Sequence, residues 1–217
     1  MIILYETSIV KHKKEVKKRM GKRIAVTGGI GAGKSTVLAL IKELGYSVFS
    51  CDEIYKEMIN EPLYVSEIEQ EFPGVVSAGK IDRAKLAEIV FSDPNARIRL
   101  NAIAHPMIMH RLSQQMAKAK NDLVFAEVPL LFEGNYQSYF SDVIVVVRGQ
   151  EERISAVCER DHISQAEALA RLHAQYDYDD PKNVSQWKEQ GMHVLENVKD
   201  INRLKENLKM LIDSLKN

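Results

Sequence analysis

The chain has 217 residues, which is enough for one sizeable α/β core with a small inserted subdomain. Its 45% hydrophobic and 28% charged residues are ordinary for a soluble globular protein, and its zero net charge argues against strong nonspecific binding to nucleic acid or to an anionic membrane. Two cysteines are too few for a disulfide framework, and no apolar run has the length of a transmembrane helix, so we expect a cytoplasmic protein that binds neither nucleic acid nor membrane.

The start of the chain is strongly basic. Residues 1–23 contain eight Lys and Arg against two Glu, a local charge of +6. A secretory signal places its positive charge before the apolar stretch, and here that order is reversed. We interpret residues 1–21 as a basic N-terminal extension, with Met20 as an alternative start, and residues 22–217 as the folded domain.

Residues 28–36 read Gly-Gly-Ile-Gly-Ala-Gly-Lys-Ser-Thr, a complete G-x-x-x-x-G-K-S phosphate-binding loop. The apolar residues 24–26 precede this loop as a buried strand, and apolar residues at helical spacing follow it. Strand, glycine loop and helix start are the parts that a P-loop requires. A dinucleotide fingerprint would need a third glycine at position 34, where the chain has Lys34, and this argues against NAD chemistry.

The chemistry of this loop predicts nucleotide binding. Glycines let the backbone turn its N–H groups toward phosphate oxygens, and the dipole of the following helix adds to the attraction. Lys34 would reach the β- and γ-phosphates of ATP, and the Ser35 hydroxyl would bind Mg²⁺. The alternative is a tight turn without a ligand. The nucleotide-binding residues are predicted to be Gly29, Ile30, Gly31, Ala32, Gly33, Lys34, Ser35 and Thr36, together with Arg171.

A second strand and a helix follow the loop. Gly45 is expected to end the first helix, and residues 46–51 form a short strand. A helical stretch covers residues 52–60. Two prolines and two glycines are then expected to break residues 61–81 into short pieces.

The next stretch is helical. Asp82 is the expected N-cap of a helix over residues 84–91, and Pro94 opens another helix. Pro106 inside that helix predicts a kink near residue 105. Residues 53–118 are long for a simple crossover, and we interpret them as a helical substrate-binding region.

The sheet resumes after this region. Residues 123–126 form an apolar strand, and residues 143–147 are a β-branched run typical of a central parallel strand. Residues 194–195 suggest a last short strand, and residues 201–215 form an amphipathic helix. We predict an α/β fold, a P-loop NTPase-type parallel sheet with helices on both faces, plus a helical substrate-binding subdomain and a lid.

The lid is assigned to residues from about 150 to 190. A helix is predicted over residues 151–160, and a capping box formed by Ser164 and Glu167 opens a second helix that ends near residue 175. Residues 176–190 are polar and show no periodicity.

Asp52 follows the second strand, 18 residues after Lys34. The carboxyl ends of strands border the ligand crevice in sheets of this type, so this carboxylate is expected to face the phosphates. Phosphoryl transfer to a hydroxyl needs a group that orients the hydroxyl and accepts its proton. An N-cap role for Asp52 is the alternative, and both roles can hold at once.

Two further features lie at the ligand side of the sheet. Glu127 ends an apolar strand, as the carboxylate that holds Mg²⁺ does in P-loop proteins. The apolar segment Pro129, Leu130 and Leu131 follows it and could line a pocket for an apolar part of a substrate. Ordinary core packing is the competing explanation for this segment.

Arg160 and Arg171 lie toward the ends of two successive helices. Such arginines could close over ATP and neutralise charge on the transferred phosphoryl group. The alternative is that both are solvated surface side chains.

The ordered set of motifs resembles the dephospho-coenzyme A kinase family between about residues 22 and 197. Its most specific marks are the segment Pro-Leu-Leu-Phe-Glu at residues 129–133, the pair His105-Pro106 and the triplet Ile-Asp-Arg at residues 81–83. The P-loop, Leu44-Gly45, Asp52, Arg160-Asp161, residues 171–175 and Asn197 complete the resemblance.

This resemblance implies transfer of the γ-phosphoryl group of ATP, with Mg²⁺, to the ribose 3′-hydroxyl of dephospho-coenzyme A. Carried over residue by residue, it makes Asp52 the base, Lys34 the phosphate-binding lysine and Arg160 the lid arginine. Ser35 and Glu127 become the Mg²⁺ ligands. The implied substrate-binding residues are Asp52, Arg83, His105, Pro129, Leu130 and Leu131.

The chain departs from the family pattern at several places. Ser50 replaces the first acid of an Asp-Ala-Asp motif, and Ala156 replaces a basic residue one helical turn before Arg160. The pair Gly191-Met192 replaces Ala-Asp, and about six extra residues lie between Gln175 and Asn197. These changes concern the adenine pocket and the lid and leave the transfer chemistry intact.

Three hypotheses follow. The first is an active kinase that phosphorylates dephospho-coenzyme A. The second is a nucleoside or nucleotide kinase of similar architecture. The third is a nucleotide-binding regulatory protein without turnover, which the altered lid motivates. The sequence gives no indication of the oligomeric state.

Overall fold

The computed structural model describes residues 21–216, so the predicted basic extension lies outside the described residues apart from Gly21. The strands are β1 Lys22–Thr27, β2 Ser47–Ser50, β3 Val76–Ser77, β4 Lys80–Ile81, β5 Leu123–Glu127, β6 Asp142–Val147 and β7 His193–Glu196. The α-helices are α1 Lys34–Glu43, α2 Cys51–Met58, α3 Pro62–Glu71, α4 Arg83–Ser92, α5 Pro94–Lys118, α6 Gln150–Asp161, α7 Gln165–His173, α8 Pro181–Glu189 and α9 Ile201–Leu215. None of the helices in this described part is long and apolar enough to cross a membrane.

Five strands form one sheet in the order β2-β5-β1-β6-β7. The pairs β5–β1, β1–β6 and β6–β7 are parallel. Strand β1 is central, and its residues Ile24, Ala25 and Val26 are completely buried. Apolar runs without polar alternation are typical of parallel strands that helices cover on both faces. The predicted α/β fold is confirmed.

The chain divides into two compact units. The first unit contains the described residues up to Val48 and from Met116 onward. Its core joins the sheet to helices α1 and α9, because apolar residues of both helices pack on β1, β5 and β6. This burial supplies the main favourable free energy for the unit and fixes the strand ends on which the P-loop is built.

The second unit contains residues 49–115. Helices α2, α3, α4 and most of α5 enclose a separate core around Tyr64, Ile68 and Phe72. Strands β3 and β4 form an antiparallel hairpin whose turn residues Ala78 and Gly79 both have positive φ. Asp82 caps α4 by accepting hydrogen bonds from the N–H groups of Ala84 and Lys85, as its position predicts.

Two helices were not predicted, and one strand boundary is wrong. Residues 61–81 contain the ten-residue helix α3, and Pro62 opens it at the first helical position, where its missing N–H is not needed. Residues 176–190 contain α8, which Asp180 caps and Pro181 opens. Cys51 begins α2 and does not end β2. Helix α5 continues as one element through Pro106.

Glu61 and Arg111 form a two-pronged ion pair in the second unit, with Nη1–Oε1 and Nη2–Oε2 distances of 2.5 and 2.7 Å. The hydrogen bonds from Arg111 lower the pKa of Glu61 from its ordinary value of 4.5. A carboxylate whose pKa is lowered by folding stabilises the fold above its ordinary pKa and loses this contribution as the pH falls through the lowered value.

We therefore expect Glu61→Gln to reduce the free energy of unfolding at neutral pH by about 0.5–1 kcal/mol, because the pair is partly exposed. Urea unfolding of both proteins from neutral pH to about pH 2 would measure the difference, which should vanish below the lowered pKa. A difference that does not change with pH would contradict this role of the ion pair.

Candidate functional site

Strand β1 leads directly into the glycine loop. Thr27, its last residue, is completely buried, and Gly28 follows in close contact with β6. A Cβ atom at Gly28 would overlap the carbonyl oxygen of Val146. The loop therefore leaves the sheet at the carboxyl end of its central strand, where ligands bind in open α/β sheets.

The loop turns by means of glycines in the left-handed region. Gly31 has a φ of 77° and Gly33 a φ of 87°, values that other residues rarely adopt. The N–H of Ala32 donates to the carbonyl of Gly29 at 3.2 Å and closes the turn. Gly33 then stands at the N-cap of α1 without a side chain to bond the first-turn N–H groups. A helix start of this kind attracts anions.

Lys34 is the first residue of α1, and its side chain folds back over the loop. Its Nζ donates to the carbonyl oxygens of Gly28 and Gly29 at 2.7 and 3.1 Å. The ammonium group is thus held beside the loop backbone. Ser35 and Thr36 follow on the exposed side of the first helical turn.

Three side chains hold the loop from its outer side. Gln175 Oε1 accepts from the N–H of Ile30 at 2.7 Å, and Arg153 Nε donates to the Ile30 carbonyl at 2.9 Å. Asn197 Nδ2 donates to the carbonyl of Ala32 at 2.8 Å. The family resemblance includes Gln175 and Asn197. Sequence reasoning missed Arg153, because a charged residue within an amphipathic helix is usually solvated.

The segment after α7 also contacts the loop base. The Tyr178 hydroxyl lies 3.2 Å from Thr27 Oγ1, and burial raises the pKa of this phenol, so that the hydroxyl keeps its proton. The Tyr178 ring packs with Phe132, Tyr176 and Trp187 in an aromatic cluster. No periodicity in the sequence predicts this cluster, which joins residues distant along the chain.

Glu127 lies at the end of β5, paired in register with Val26 of β1. The strand that carries Glu127 is therefore the direct neighbour of the strand that carries the P-loop. Beyond it, Leu131 is completely buried, Pro129 is half-buried and Leu130 is 40% exposed. A substrate contact is open to Leu130, whereas Leu131 packs inside the first unit.

The two predicted lid arginines share one carboxylate. Arg160 bonds Asp161 through Nε and Nη2 at 2.7 and 3.0 Å, and Arg171 Nη1 bonds the same carboxylate at 2.6 Å. The hydrogen bonds from Arg160 lower the pKa of Asp161, and the same contact raises the pKa of Arg160. Both arginines are about half exposed or more, so their charges are available to an anionic ligand.

The remaining predicted residues belong to the second unit. Asp52 is the second residue of α2 and is exposed, and Arg83 is the exposed first residue of α4. His105 lies within α5, and burial lowers its pKa. An imidazole with a lowered pKa is neutral at pH 7 and serves as a hydrogen-bonding group.

Comparison with known proteins agrees with this geometry. A family model described as dephospho-CoA kinase matches residues 22–199. A dephospho-CoA kinase of Thermus thermophilus is 34% identical over 192 residues, covering 88% of this chain and 91% of that protein. A dephospho-CoA kinase of Deinococcus radiodurans is 39% identical over 153 residues, covering 69% and 74% of the two chains.

The fold agrees as well. The crystal structure of TT1252 from Thermus thermophilus superposes with a TM-score of 0.74 at 33% identity, and the match covers 90% of this chain and 98% of the other. The structural match, the glycine loop and the family match all fall within the same part of the chain. The chain belongs to the dephospho-CoA kinase family.

Proposed function

We infer that this protein transfers the γ-phosphoryl group of ATP to the ribose 3′-hydroxyl of dephospho-CoA and so produces CoA. The family match over residues 22–199 carries this inference. The P-loop supports it, because a helix start behind left-handed glycines suits the phosphates of a nucleotide.

Each part of the site has a task in this reaction. The N–H groups of Gly31 and Gly33, those at the start of α1, and the ammonium of Lys34 bind the β- and γ-phosphates. Arg160 and Arg171 exchange Asp161 for phosphate oxygens and neutralise the charge on the transferred group. Asp52 orients the acceptor hydroxyl and takes its proton as the new O–P bond forms.

The acceptor is proposed to bind through residues 53–118 together with the apolar segment that starts at Pro129. Arg83 is exposed at the start of α4, where its charge suits an anionic part of the acceptor. Neutral His105 offers a hydrogen bond, and exposed Leu130 offers an apolar contact.

Within the region from about 150 to 190, the ends of α6 and α7 that carry Arg160 and Arg171 serve as the lid over ATP. Arg153, Gln175 and Tyr178 of the same region contact the loop and its base instead.

The residues present suit Mg²⁺. The Ser35 hydroxyl and the Glu127 carboxylate are oxygen donors, the type that Mg²⁺ prefers. Within residues 21–216 no three His, Cys, Asp or Glu side chains form a metal-binding group, so phosphate and water oxygens would complete the ligand set. When bound, the ion would neutralise charge on the ATP phosphates.

We also propose that the enzyme works in the cytoplasm on small molecules alone. Both cysteines are free thiols, Cys51 buried and Cys158 half-buried. Free thiols suit a reducing compartment.

The direct test incubates the purified chain with Mg-ATP and an equimolar mixture of dephospho-CoA and nucleoside monophosphates. We expect CoA as the main product, identified by mass. Preferential phosphorylation of a nucleoside monophosphate would favour the nucleotide kinase hypothesis. Tight ATP binding without transfer to any acceptor would favour the regulatory protein.

A further inference from the structure

Arg153 lies on α6 with 2% of its surface exposed, and it is the one buried charged side chain within residues 21–216. A buried guanidinium costs free energy unless its N–H groups are bonded and its charge is compensated. Its Nε donates to the Ile30 carbonyl at 2.9 Å, and its Nη1 pairs with Asp179 at 2.6 Å. A guanidinium whose burial costs free energy is therefore held directly against the phosphate-binding loop.

We propose that Arg153 is a positioning residue for ATP. It holds the Ile30 carbonyl on the outer side of the loop and thereby directs the N–H of Gly31 toward the phosphates. The proposal rests on the proposed function, because it takes the phosphates of ATP as the ligand of this loop.

The planarity of the peptide bond gives the mechanism. In a trans peptide the C=O and the following N–H point in opposite directions. When Arg153 fixes the Ile30 carbonyl on its own side, the Gly31 N–H must point away from Arg153. Asn197 fixes the Ala32 carbonyl in the same way, and the Gly33 N–H is then turned opposite to Asn197. Two N–H groups are thus oriented before the ligand arrives, and preorganised donors bind charge without the cost of reorganisation.

The glycines of the loop match the space that Arg153 occupies. A Cβ at Gly29 would overlap the guanidinium of Arg153. A Cβ at Gly31 would lie 2.5 Å from the backbone carbonyl oxygen of Arg153. Two of the loop glycines are therefore packed against this one residue, and the loop has no room to shift toward α6.

Asp179 completes the arrangement from the segment between α7 and α8. It compensates the charge of Arg153, and its bond to Nη1 aims the rigid guanidinium so that Nε faces Ile30. The backbone of this segment is itself fixed, because Asp177 Oδ1 accepts from the N–H groups of Asp179 and Asp180. The position of the guanidinium is therefore determined from both of its ends.

The test measures ATP binding by calorimetry without acceptor, together with KM for ATP and for dephospho-CoA. We expect Arg153→Gln to raise Kd and KM for ATP by about 10- to 100-fold while KM for dephospho-CoA changes less than about twofold. Asp179→Asn should change the ATP constants in the same direction by about 3- to 10-fold, because Arg153 remains but is less well aimed. Lys205→Gln, which removes the exposed ion pair with Glu43 in the same unit, should leave all constants unchanged.

Folding is followed by thermal unfolding, and kinetics are measured well below the midpoint of each variant. If Arg153→Gln does not fold, the ATP constants of Asp179→Asn test the proposal instead. Unchanged ATP affinity in a folded variant, or an equal rise of both KM values, would overturn the proposal. Wild-type protein that binds ATP but forms no CoA would instead contradict the proposed function, and the calorimetric comparison would still test Arg153.

Discussion

Asp52→Asn is expected to lower kcat for dephospho-CoA by about 10²- to 10⁴-fold and to leave the affinity for ATP unchanged. The amide can still bond the acceptor hydroxyl, but it cannot take the proton that leaves as the O–P bond forms. Because we propose that the P-loop of the first unit binds the phosphates, we expect nucleotide binding to be independent of this carboxylate. Single-turnover kinetics with saturating ATP would measure the chemical step directly.

Glu53→Gln is the matched control for this change. Glu53 is the neighbouring acid in the same first turn of α2 and is also exposed. Removing its charge alters the local electrostatics and the helix start in the same way, so turnover near the wild-type value is expected. Wild-type turnover in Asp52→Asn would exclude a role as base. The N-cap role considered for Asp52 is wrong, because Ser50 occupies the N-cap of α2, so Asp52 would then be only an acidic residue of the first helical turn.

Arg160→Ala is expected to reduce kcat by about 10³- to 10⁵-fold, the range found when an arginine that neutralises the transferred phosphoryl group is removed. Arg160→Lys should restore little activity, because an ammonium cannot form the two parallel bonds that the guanidinium makes with Asp161 and would make with phosphate. Steady-state kinetics with both substrates saturating would measure the effect.

Arg203→Ala on the exposed face of α9 serves as the control for loss of one arginine. We expect it to keep the wild-type rate and the same thermal stability. A loss of activity in Arg160→Ala that appears only in KM for ATP would show that Arg160 binds nucleotide and does not stabilise the transition state.

The contiguous features of the site were predictable from the sequence. Strand β1, the glycine loop and α1 follow one another without interruption, so a local pattern describes all of them. The same holds for caps, since Asp82 and the Ser164–Glu167 box bond N–H groups within three residues. Hydrogen bonds between residues that are close along the chain can be predicted from the types of the neighbouring residues.

The missed elements have a different physical origin. Helices α3 and α8 both begin with proline. A proline after a polar residue is compatible with a loop as well as with the start of a helix. Within α8, Trp187 is the one buried residue, too few to produce a periodicity. Arg153 was missed because its partners lie 123 residues before it and 26 residues after it. Such contacts arise from the packing of segments that are distant along the chain, and no spacing of residues in the sequence predicts them.

The aromatic cluster has a practical consequence. The chain contains a single tryptophan, Trp187, which is buried and stacked on Phe132 at 5.3 Å. Its ring also packs on Tyr178, whose hydroxyl touches Thr27 at the base of the loop. The chain also has eight tyrosines, so the protein is excited at the red edge, where only the indole absorbs. The emission then originates from one tryptophan that is two contacts away from the phosphate-binding loop. An emission change on adding a nucleotide can be assigned to this place without any label.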